Sequence, residues 1–354
     1  TPWGDEQYLA NASVLLGAYL VLRCGWSAAR LSGVLGSAEL KFACSWATPC
    51  TPVRERVMTV RDCWQGIELA VRQGWLKRCI VVDDVSADKL VAQYNAQVFT
   101  FDATWLIPGM LMVGEDPMTV VCDPNPATCK RLSSEEVAKS PAKELLESRC
   151  TRSTSADSIS SASSVDTVCK EYCPEEEPSA APMQSNSDGC DYVSFFRRCG
   201  ISLVVRANFD AEPGLPQGRS YGSAFSEQGI EQLDVRVADQ QGGLPRRGDL
   251  ARLLEACEGF MEPGRAVFIH CKGGFGRSVV LACCLAIYCL DVPGSALLGW
   301  VRIARPGAVT TRSQELFLSK LSGSSDVARY AGLATVDTVP CRGGTSCMTG
   351  CPTQ

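Results

Sequence analysis

The sequence predicts an α/β protein built on a mainly parallel central sheet flanked by helices. From residue 192 onward, short apolar runs of strand type alternate with helical segments, a pattern typical of parallel strands joined by helical crossovers. One of these runs, Ala266–Ile269, leads directly into a glycine-rich segment and then into a buried helix expected over Ser278–Cys289. The hydrophobic fraction of 45% and the charged fraction of 21% are those of a globular protein.

The remaining elements follow from apolar periodicity and from turn residues. Helices are expected over Leu9–Leu22, Ser27–Leu35, Arg61–Arg72, Leu250–Phe260, Ser295–Ile303 and Ser313–Leu321. Strands are expected over Cys79–Val82, Ser202–Arg206 and Leu233–Ala238, and over Trp105–Val113 with an interruption at Pro108-Gly109. The stretch 124–190 is rich in Ser and Glu and predicts a disordered insertion, and a flexible tail is expected over 326–354.

Composition excludes several classes of protein. The net charge of −5 and the pI of about 5.2 argue against a non-specific nucleic-acid binder. The chain has 20 cysteines, but it is long and shows no signal-peptide pattern, so we expect a reducing compartment, the nucleus or the cytoplasm. Its longest apolar run, Val279–Leu290, is shorter than the ~20 residues of a membrane helix, so no membrane insertion is expected. The single histidine, His270, excludes a zinc site built on two histidines, and no metal or cofactor is predicted.

The segment from Cys271 to Arg277, here called the anion loop, carries the chemistry. Three glycines allow successive backbone N–H groups to turn inward, and the helix that begins near Arg277 adds the positive end of its dipole. The Arg277 guanidinium can hold two phosphate oxygens at once. The same positive groups favour the thiolate form of Cys271, which is the nucleophilic form. The loop therefore predicts a phosphate-binding site with a cysteine nucleophile at its base.

The spacing of cysteine and arginine is not specific by itself. Cys24 to Arg30 and Cys50 to Arg56 have the same spacing, but they lack the internal glycines, the preceding histidine and the strand–loop–helix setting. A purely structural glycine turn would not explain why Arg277 follows Gly276 at the mouth of a helix.

The substrate oxygen that leaves the phosphorus atom also needs a proton donor. Asp239 follows the strand expected over Leu233–Ala238 and precedes a glycine-rich loop, which is a suitable position for a mobile general acid. Asp234 and Asp249 are the alternatives in the same region.

The segment His270–Ser278 resembles the protein-tyrosine-phosphatase signature, and the wider pattern resembles the cell-division-cycle-fourteen family of dual-specificity phosphatases. Asn11–Tyr19 and Asp62–Ile67 look like that family's non-catalytic N-terminal domain, Trp105–Gly109 looks like the start of its catalytic domain, and Trp300–Gly307 looks like the segment after its signature helix. The resemblance implies two tandem phosphatase-like domains, 1–101 and 102–325, each with a mainly parallel sheet.

The resemblance also implies roles for individual residues. Cys271 would be the nucleophile, Arg277 the phosphate clamp, and Asp239 the general acid and then the base. Ser278 would stabilise the leaving thiolate, and Gln314 would position the hydrolytic water. The substrate phosphate would lie against His270, Lys272, Gly273, Gly274, Phe275 and Gly276. The substrates would be phosphoproteins made by proline-directed kinases, with phosphoserine or phosphothreonine before proline or with phosphotyrosine.

Some residues depart from the family pattern. Val279 and Val280 replace Gly and Thr, Phe275 replaces a smaller aliphatic residue, and Arg312-Ser313 replaces a Pro-Gln pair. Two alternative functions remain open. A phosphoinositide phosphatase would use the same cysteine chemistry, although its polyanionic substrate favours more basic residues than the single Lys272 of this loop. An inactive phosphoprotein-binding module is the other alternative, against which the presence of Cys271, Arg277 and Asp239 argues.

Overall fold

The computed structural model describes residues 2–41, 55–76, 101–117, 192–213, 215, 222–239, 242–262 and 264–333. All of them belong to a compact unit formed by Thr1–Cys122 and Cys190–Gln354, and Asp123–Gly189 forms a second unit outside the described residues. The insertion predicted over 124–190 therefore lies outside the described residues.

Helices and strands of the described residues alternate in the second part of the chain. The helices are α1 (Pro2–Cys24), α2 (Ala28–Val34), α3 (Val60–Arg72), α4 (Tyr192–Arg198), α5 (Gly222–Ser226), α6 (Arg247–Ala256), α7 (Arg277–Leu290), α8 (Gly294–Ala304), α9 (Arg312–Ser319) and α10 (Ser324–Ala331). The strands are β1 (Ala103–Ile107), β2 (Leu111–Gly114), β3 (Ile201–Arg206), β4 (Glu231–Asp234) and β5 (Ala266–His270).

The five described strands form one sheet in the order β1-β2-β5-β3-β4. β1 and β2 form an antiparallel hairpin, whereas the pairs β2–β5, β5–β3 and β3–β4 are parallel. The predicted α/β class with a mainly parallel sheet is thus confirmed. In register, His270 at the end of β5 pairs with Gly114 on one side and Arg206 on the other. Loops that leave the carboxyl ends of these strands therefore converge at one edge, where α/β proteins place their ligands.

The core is formed by the central strand and the helix that follows it. Every residue of β5 is buried, and so are the first eleven residues of α7. Val279 and Val280 are completely buried there, so these departures from the family pattern serve the packing of the core. None of the described helices combines the length and the apolar character needed to span a bilayer.

The N-terminal helices pack directly on the helices that follow the anion loop. The backbone N–H of Met58 donates to the Glu315 carboxylate at 3.0 Å, and Arg312 Nε donates to the Glu55 carbonyl at 3.1 Å. Thr59 and Asp62 form a capping box at the start of α3, which orients this helix against α8. The sheet expected within domain 1–101, including the strand over Cys79–Val82, lies outside the described residues, so the tandem-domain organisation stays a prediction.

Several boundaries differ from the sequence-based expectation. α1 begins at Pro2 and not at Leu9, and α6 spans Arg247–Ala256 and not Leu250–Phe260. Two further differences concern β4 and the tail. β4 ends at Asp234, and the chain continues as extended backbone in which Val235 and Val237 still donate to the carbonyls of Arg206 and Ala207. The flexible tail was expected from residue 326, but α10 runs to Ala331 and buries its apolar face. That boundary is therefore corrected, because the apolar spacing in α10 is satisfied by packing on α6 and α7.

Candidate active site

The candidate site lies at the junction of β5, the anion loop and α7. Cys271 directly follows β5, and α7 begins at Arg277. The Cys271 side chain is 4% exposed and sits at the base of the loop. The backbone N–H of Gly274 donates to its Sγ at 3.2 Å, and the Ser278 hydroxyl lies 3.3 Å from the same sulfur atom. Both groups can stabilise negative charge on the sulfur.

Arg305 stabilises the conformation of the anion loop from the side of the protein interior. Its Nε donates to the Gly274 carbonyl at 2.8 Å, and its terminal nitrogens donate to Thr104 and Asp102 at 3.0 and 3.1 Å. The Phe275 ring lies 4.2 Å from the Arg305 guanidinium. Arg305 thus holds the Gly274 carbonyl, while the N–H of Gly274 points to the Cys271 thiol.

Gly274 is required by both conformation and space. Its φ is +70°, and a Cβ at this position would lie 2.3 Å from the backbone carbon of Gly114. A side chain there would therefore strain the backbone and push the loop away from β2. Gly273, by contrast, is exposed and has open space around it.

Arg277 is almost completely buried, and some of its N–H groups donate to other residues while others face the phosphate site. Nη1 and Nη2 donate to the two oxygens of Glu212 at 2.5 and 2.7 Å, and Nη1 also donates to the Val237 carbonyl at 3.2 Å. A guanidinium has five N–H groups. The two that remain, one on Nε and one on Nη2, form the edge that can bind two oxygens of a phosphate. Burial works against the charge of Arg277, but Glu212, Cys271 and Asp239 outweigh it and raise its pKa.

Glu212 was not identified from the sequence. Burial tends to raise its pKa, but the hydrogen bonds from Arg277 and from the Phe209 N–H outweigh burial, so the pKa of Glu212 lies below its ordinary value. Its loop is fastened to the sheet, since Asp210 forms ion pairs with Arg206 and Arg236. Glu212 lies 65 residues from Arg277 in sequence, and no local pattern marks it.

Of the three aspartates that the sequence offers as proton donors, Asp239 is the one that lies against the anion loop. Its Oδ1 lies 3.3 Å from Arg277 Nε, and its side chain is 75% exposed. The two alternatives point elsewhere: Asp234 binds Arg206 and Arg236, and Asp249 lies 3.7 Å from Arg252. The structure thus separates the candidates that sequence alone left open.

Gln314 lies under the segment that carries Asp239. Its Nε2 donates to the Gly243 carbonyl at 3.3 Å, and its Oε1 accepts from the Thr310 N–H at 3.0 Å. Thr311 donates through its hydroxyl to the Gly242 carbonyl at 3.0 Å. Asp239 and Gly242–Leu244 are here called the acid segment, and these hydrogen bonds tie its residues Gly242 and Gly243 to the start of α9.

His270 and Lys272 do not point into an open phosphate site. His270 is fully buried at the end of β5, and burial lowers its pKa to about 4 even though Asp116, 3.9 Å away, opposes that shift. Lys272 donates to the Pro213 carbonyl. His270 and Lys272 therefore support the structure of the loop. The phosphate site is lined by the backbone of Gly273 to Gly276.

Of the two other cysteine–arginine pairs with the same spacing, Cys24 ends α1 and is exposed, and it has no loop of this kind between itself and Arg30. Cys50 lies outside the described residues.

Comparison with known proteins finds phosphatases among the proteins that resemble this chain. Residues 224–296 match the family model of cyclin-dependent kinase inhibitor 3 (CDKN3). The chain is 21% identical over 326 residues to the dual specificity protein phosphatase CDC14C of Homo sapiens, a match that covers 89% of this chain and 54% of the relative. It is 24% identical to CDC14AB of Danio rerio, covering 89% and 39%, and 21% identical to the tyrosine-protein phosphatase cdc-14 of Caenorhabditis elegans, covering 90% and 34%.

Solved structures match a smaller part of the chain. Tk-PTP in its active form is 28% identical over 37% of this chain and 83% of its own, with a TM-score of 0.30. Kinase associated phosphatase (KAP) is 24% identical over 36% and 71%, with a TM-score of 0.30. The chain spans between about a third and a half of the length of the CDC14 relatives named above. By sequence, the chain is similar to the CDC14 phosphatases along about nine-tenths of its length.

Proposed function

We propose that this chain is a protein phosphatase that hydrolyses phosphoserine and phosphothreonine, notably before proline, and phosphotyrosine, through a cysteinyl-phosphate intermediate. The observation that carries the proposal is the meeting of three groups at one point. The Cys271 sulfur, the edge of Arg277 formed by Nε and Nη2, and the carboxylate of Asp239, which lies 3.3 Å from Nε, converge at the anion loop. The CDC14 relatives are named as a dual specificity protein phosphatase and a tyrosine-protein phosphatase.

In the first step, the Cys271 thiolate attacks phosphorus while Arg277 and the loop N–H groups hold the equatorial oxygens. The bond between phosphorus and the substrate oxygen breaks, and Asp239 donates its proton to that oxygen. Asp239 lies beside the clamp, since its oxygen is 3.3 Å from Arg277 Nε. A bound phosphate would take over this nitrogen, and the carboxyl of Asp239 would then be free to turn toward the leaving oxygen.

In the second step, water attacks the phosphocysteine and Asp239 takes its proton. The sulfur–phosphorus bond breaks, and the Ser278 hydroxyl, 3.3 Å from the sulfur, donates to the thiolate that leaves. Gln314 would orient the water, since its amide is held against the acid segment at Gly243. Phosphate and the free enzyme are the products, and no redox partner is needed.

The preference for protein over lipid substrates rests on the charge of the loop. A phosphoinositide headgroup carries several phosphates and favours several cations, but Lys272 is turned to the Pro213 carbonyl and Phe275 packs against Arg305. The loop therefore offers a single phosphate clamp, which suits a phosphorylated side chain.

The test uses matched phosphoserine-proline and phosphotyrosine peptides, each with a lysine three residues after the phosphoresidue. Wild type should hydrolyse both, Cys271→Ser should be inactive, and Asp239→Asn should be slower by about 10²-fold or more. Glu227→Gln, an exposed change on the surface near α5, is the control.

The outcomes separate the alternatives. Activity on phosphotyrosine alone would keep the cysteine chemistry and refute the serine-proline preference. Activity on a soluble phosphoinositide but on neither peptide would identify a lipid phosphatase. Peptide binding without turnover in a folded protein would identify a phosphoprotein-binding module.

A further inference from the structure

A second concave surface lies on the far side of the acid segment. It is an open groove with a volume of about 520 Å³ between the start of α6, α9 and α10, and we call it the α9–α10 groove. Its floor is formed by half-buried apolar side chains, namely Leu244, Leu316, Phe317 and Tyr330. Phe317 and Tyr330 pack edge to face with ring centroids 4.8 Å apart, so the floor is preformed.

The rim of the groove is basic. Two exposed cations face the groove, Arg247 at the start of α6 and Lys320 directly after α9, and Arg329 lies on α10. The acidic residue of the lining, Asp326, already accepts from Arg329 at 2.7 Å and from Ser322. Arg329 therefore neutralises the charge of Asp326. Arg247 and Lys320 then give the groove a net positive charge.

The backbone adds to this positive potential. α6 begins at Arg247, and no side chain caps its first turn. The first N–H groups of a helix carry partial positive charge, which favours an anionic neighbour. Asp249 lies in the same first turn, but it forms an ion pair with Arg252 at 3.7 Å. This local charge contrasts with the net charge of −5 of the whole chain.

We propose that the α9–α10 groove is a docking site for an extended acidic protein segment that inserts an apolar side chain, such as leucine or phenylalanine, between carboxylates. The apolar floor would bind the inserted side chain, and Arg247 and Lys320 would pair with the flanking carboxylates. The site contains no catalytic residue, so its occupant needs no phosphate.

The groove also touches the acid segment. Leu244 belongs to both, Tyr330 donates through its hydroxyl to the Pro245 carbonyl at 2.7 Å, and Ser313 lies where a Cβ on Gly242 would meet it at 2.7 Å. A segment docked here would therefore lie next to the residues that lead to Asp239. This position suits recruitment of a partner close to the reacting centre.

The probe is a fluorescein-labelled peptide of sequence Glu-Glu-Leu-Phe-Glu-Glu, measured by anisotropy at about 0.15 M salt. Saturable binding to the wild type is expected. The double change Arg247→Glu and Lys320→Glu should weaken it by about tenfold or more, because two attractive pairs become repulsive. The matched control is Arg72→Glu with Arg198→Glu, which alters the total charge equally on exposed helices away from the groove.

Three further measurements locate the peptide. Glu-Glu-Gly-Ser-Glu-Glu should bind much more weakly, because it lacks the apolar insert. Saturating vanadate, which fills a phosphate site, should leave binding unchanged. Lys320→Ala provides a milder variant whose folding is checked by its thermal unfolding.

Several results would overturn the proposal. These are no saturable binding to the wild type, equal weakening by the groove and control variants, equal binding of the Gly-Ser peptide, or displacement by vanadate. The proposal does not depend on turnover, so it can fail while the phosphatase assignment stands, and the reverse also holds.

Discussion

The anion loop and the acid segment contribute to the same site but are supported in different ways. The anion loop joins a central strand to a core helix, its functional residues Cys271 and Arg277 are buried, and it is bound by Arg305 and Glu212. Asp239 lies beyond the end of β4 with its side chain 75% exposed, and its segment is held mainly through hydrogen bonds to residues 311 and 314. The phosphate-binding loop with Arg277 is thus preorganised, whereas the proposed proton donor, Asp239, lies on a less constrained segment.

This difference predicts separate kinetic effects. Arg277→Lys should lower kcat/KM by about 10³-fold for every substrate, because a lysine cannot offer the two-donor edge and leaves Glu212 poorly paired. Asp239→Asn should depend on the leaving group. With p-nitrophenyl phosphate, whose leaving group needs little protonation, its effect should be less than about tenfold, against about 10² or more for phosphoserine peptides.

Both variants are compared on the two substrates by steady-state kinetics, with Glu227→Gln as the control. Equal losses for both variants on both substrates would contradict the division between a fixed clamp and a separate proton donor.

Stability should show the same contrast through two glycines with similar backbone conformations. Gly274 and Gly243 have φ values of +70° and +64°. A Cβ on Gly274 meets backbone of Gly114, whereas one on Gly243 first meets the end of the Gln314 side chain, which can move. Gly274→Ala should therefore cost about 3 kcal/mol or more of unfolding free energy, and Gly243→Ala about 1–2 kcal/mol.

Urea unfolding measures both glycine variants. Gly273→Ala, in open space one residue earlier, is the control and should cost less than either. If Gly243→Ala proves as costly as Gly274→Ala, the acid segment is as rigid as the anion loop.

Glu212 is expected to position Arg277, with a smaller effect than loss of Arg277 itself. Glu212→Gln removes the charge of the partner but keeps its shape, so kcat/KM should fall by about tenfold to a hundredfold. A positioning role also predicts a pH signature. Because the folded-state pKa of Glu212 is lowered, its contribution to stability is present above its unfolded pKa, about 4.3, and is lost as pH falls through the folded value.

The unfolding free energies of wild type and Glu212→Gln should therefore converge as the pH is lowered below about 4. If the difference between the two unfolding free energies does not change with pH, the destabilisation by Glu212→Gln comes from altered packing and not from the lost charge.

His270 gives the smallest expected effect on the site and the cleanest readout, since it is the single histidine of the chain. Its pKa of about 4 means that the imidazole should stay neutral in NMR titrations from pH 7.5 down to about 5. The unfolded state takes up the proton near pH 6.5, so the contribution of His270 to stability should fall between about pH 6.5 and 4, by roughly 3 kcal/mol. An imidazole that titrates near 6.5 would contradict its burial against Asp116.

The sequence by itself determined the α/β class, the strand–loop–helix setting of Cys271 to Arg277 and most helices, because these depend on periodicity and on glycine spacing within short windows. The β1–β2 turn at Pro108-Gly109 and the helix after Arg277 are of this local kind. Tertiary structure alone decided which aspartate faces the loop, that Glu212 and Arg305 brace it, and that α10 closes the groove beside α9. These features join residues dozens to hundreds of positions apart, such as Arg305 and Asp102, and only the folded chain brings their charges within bonding distance.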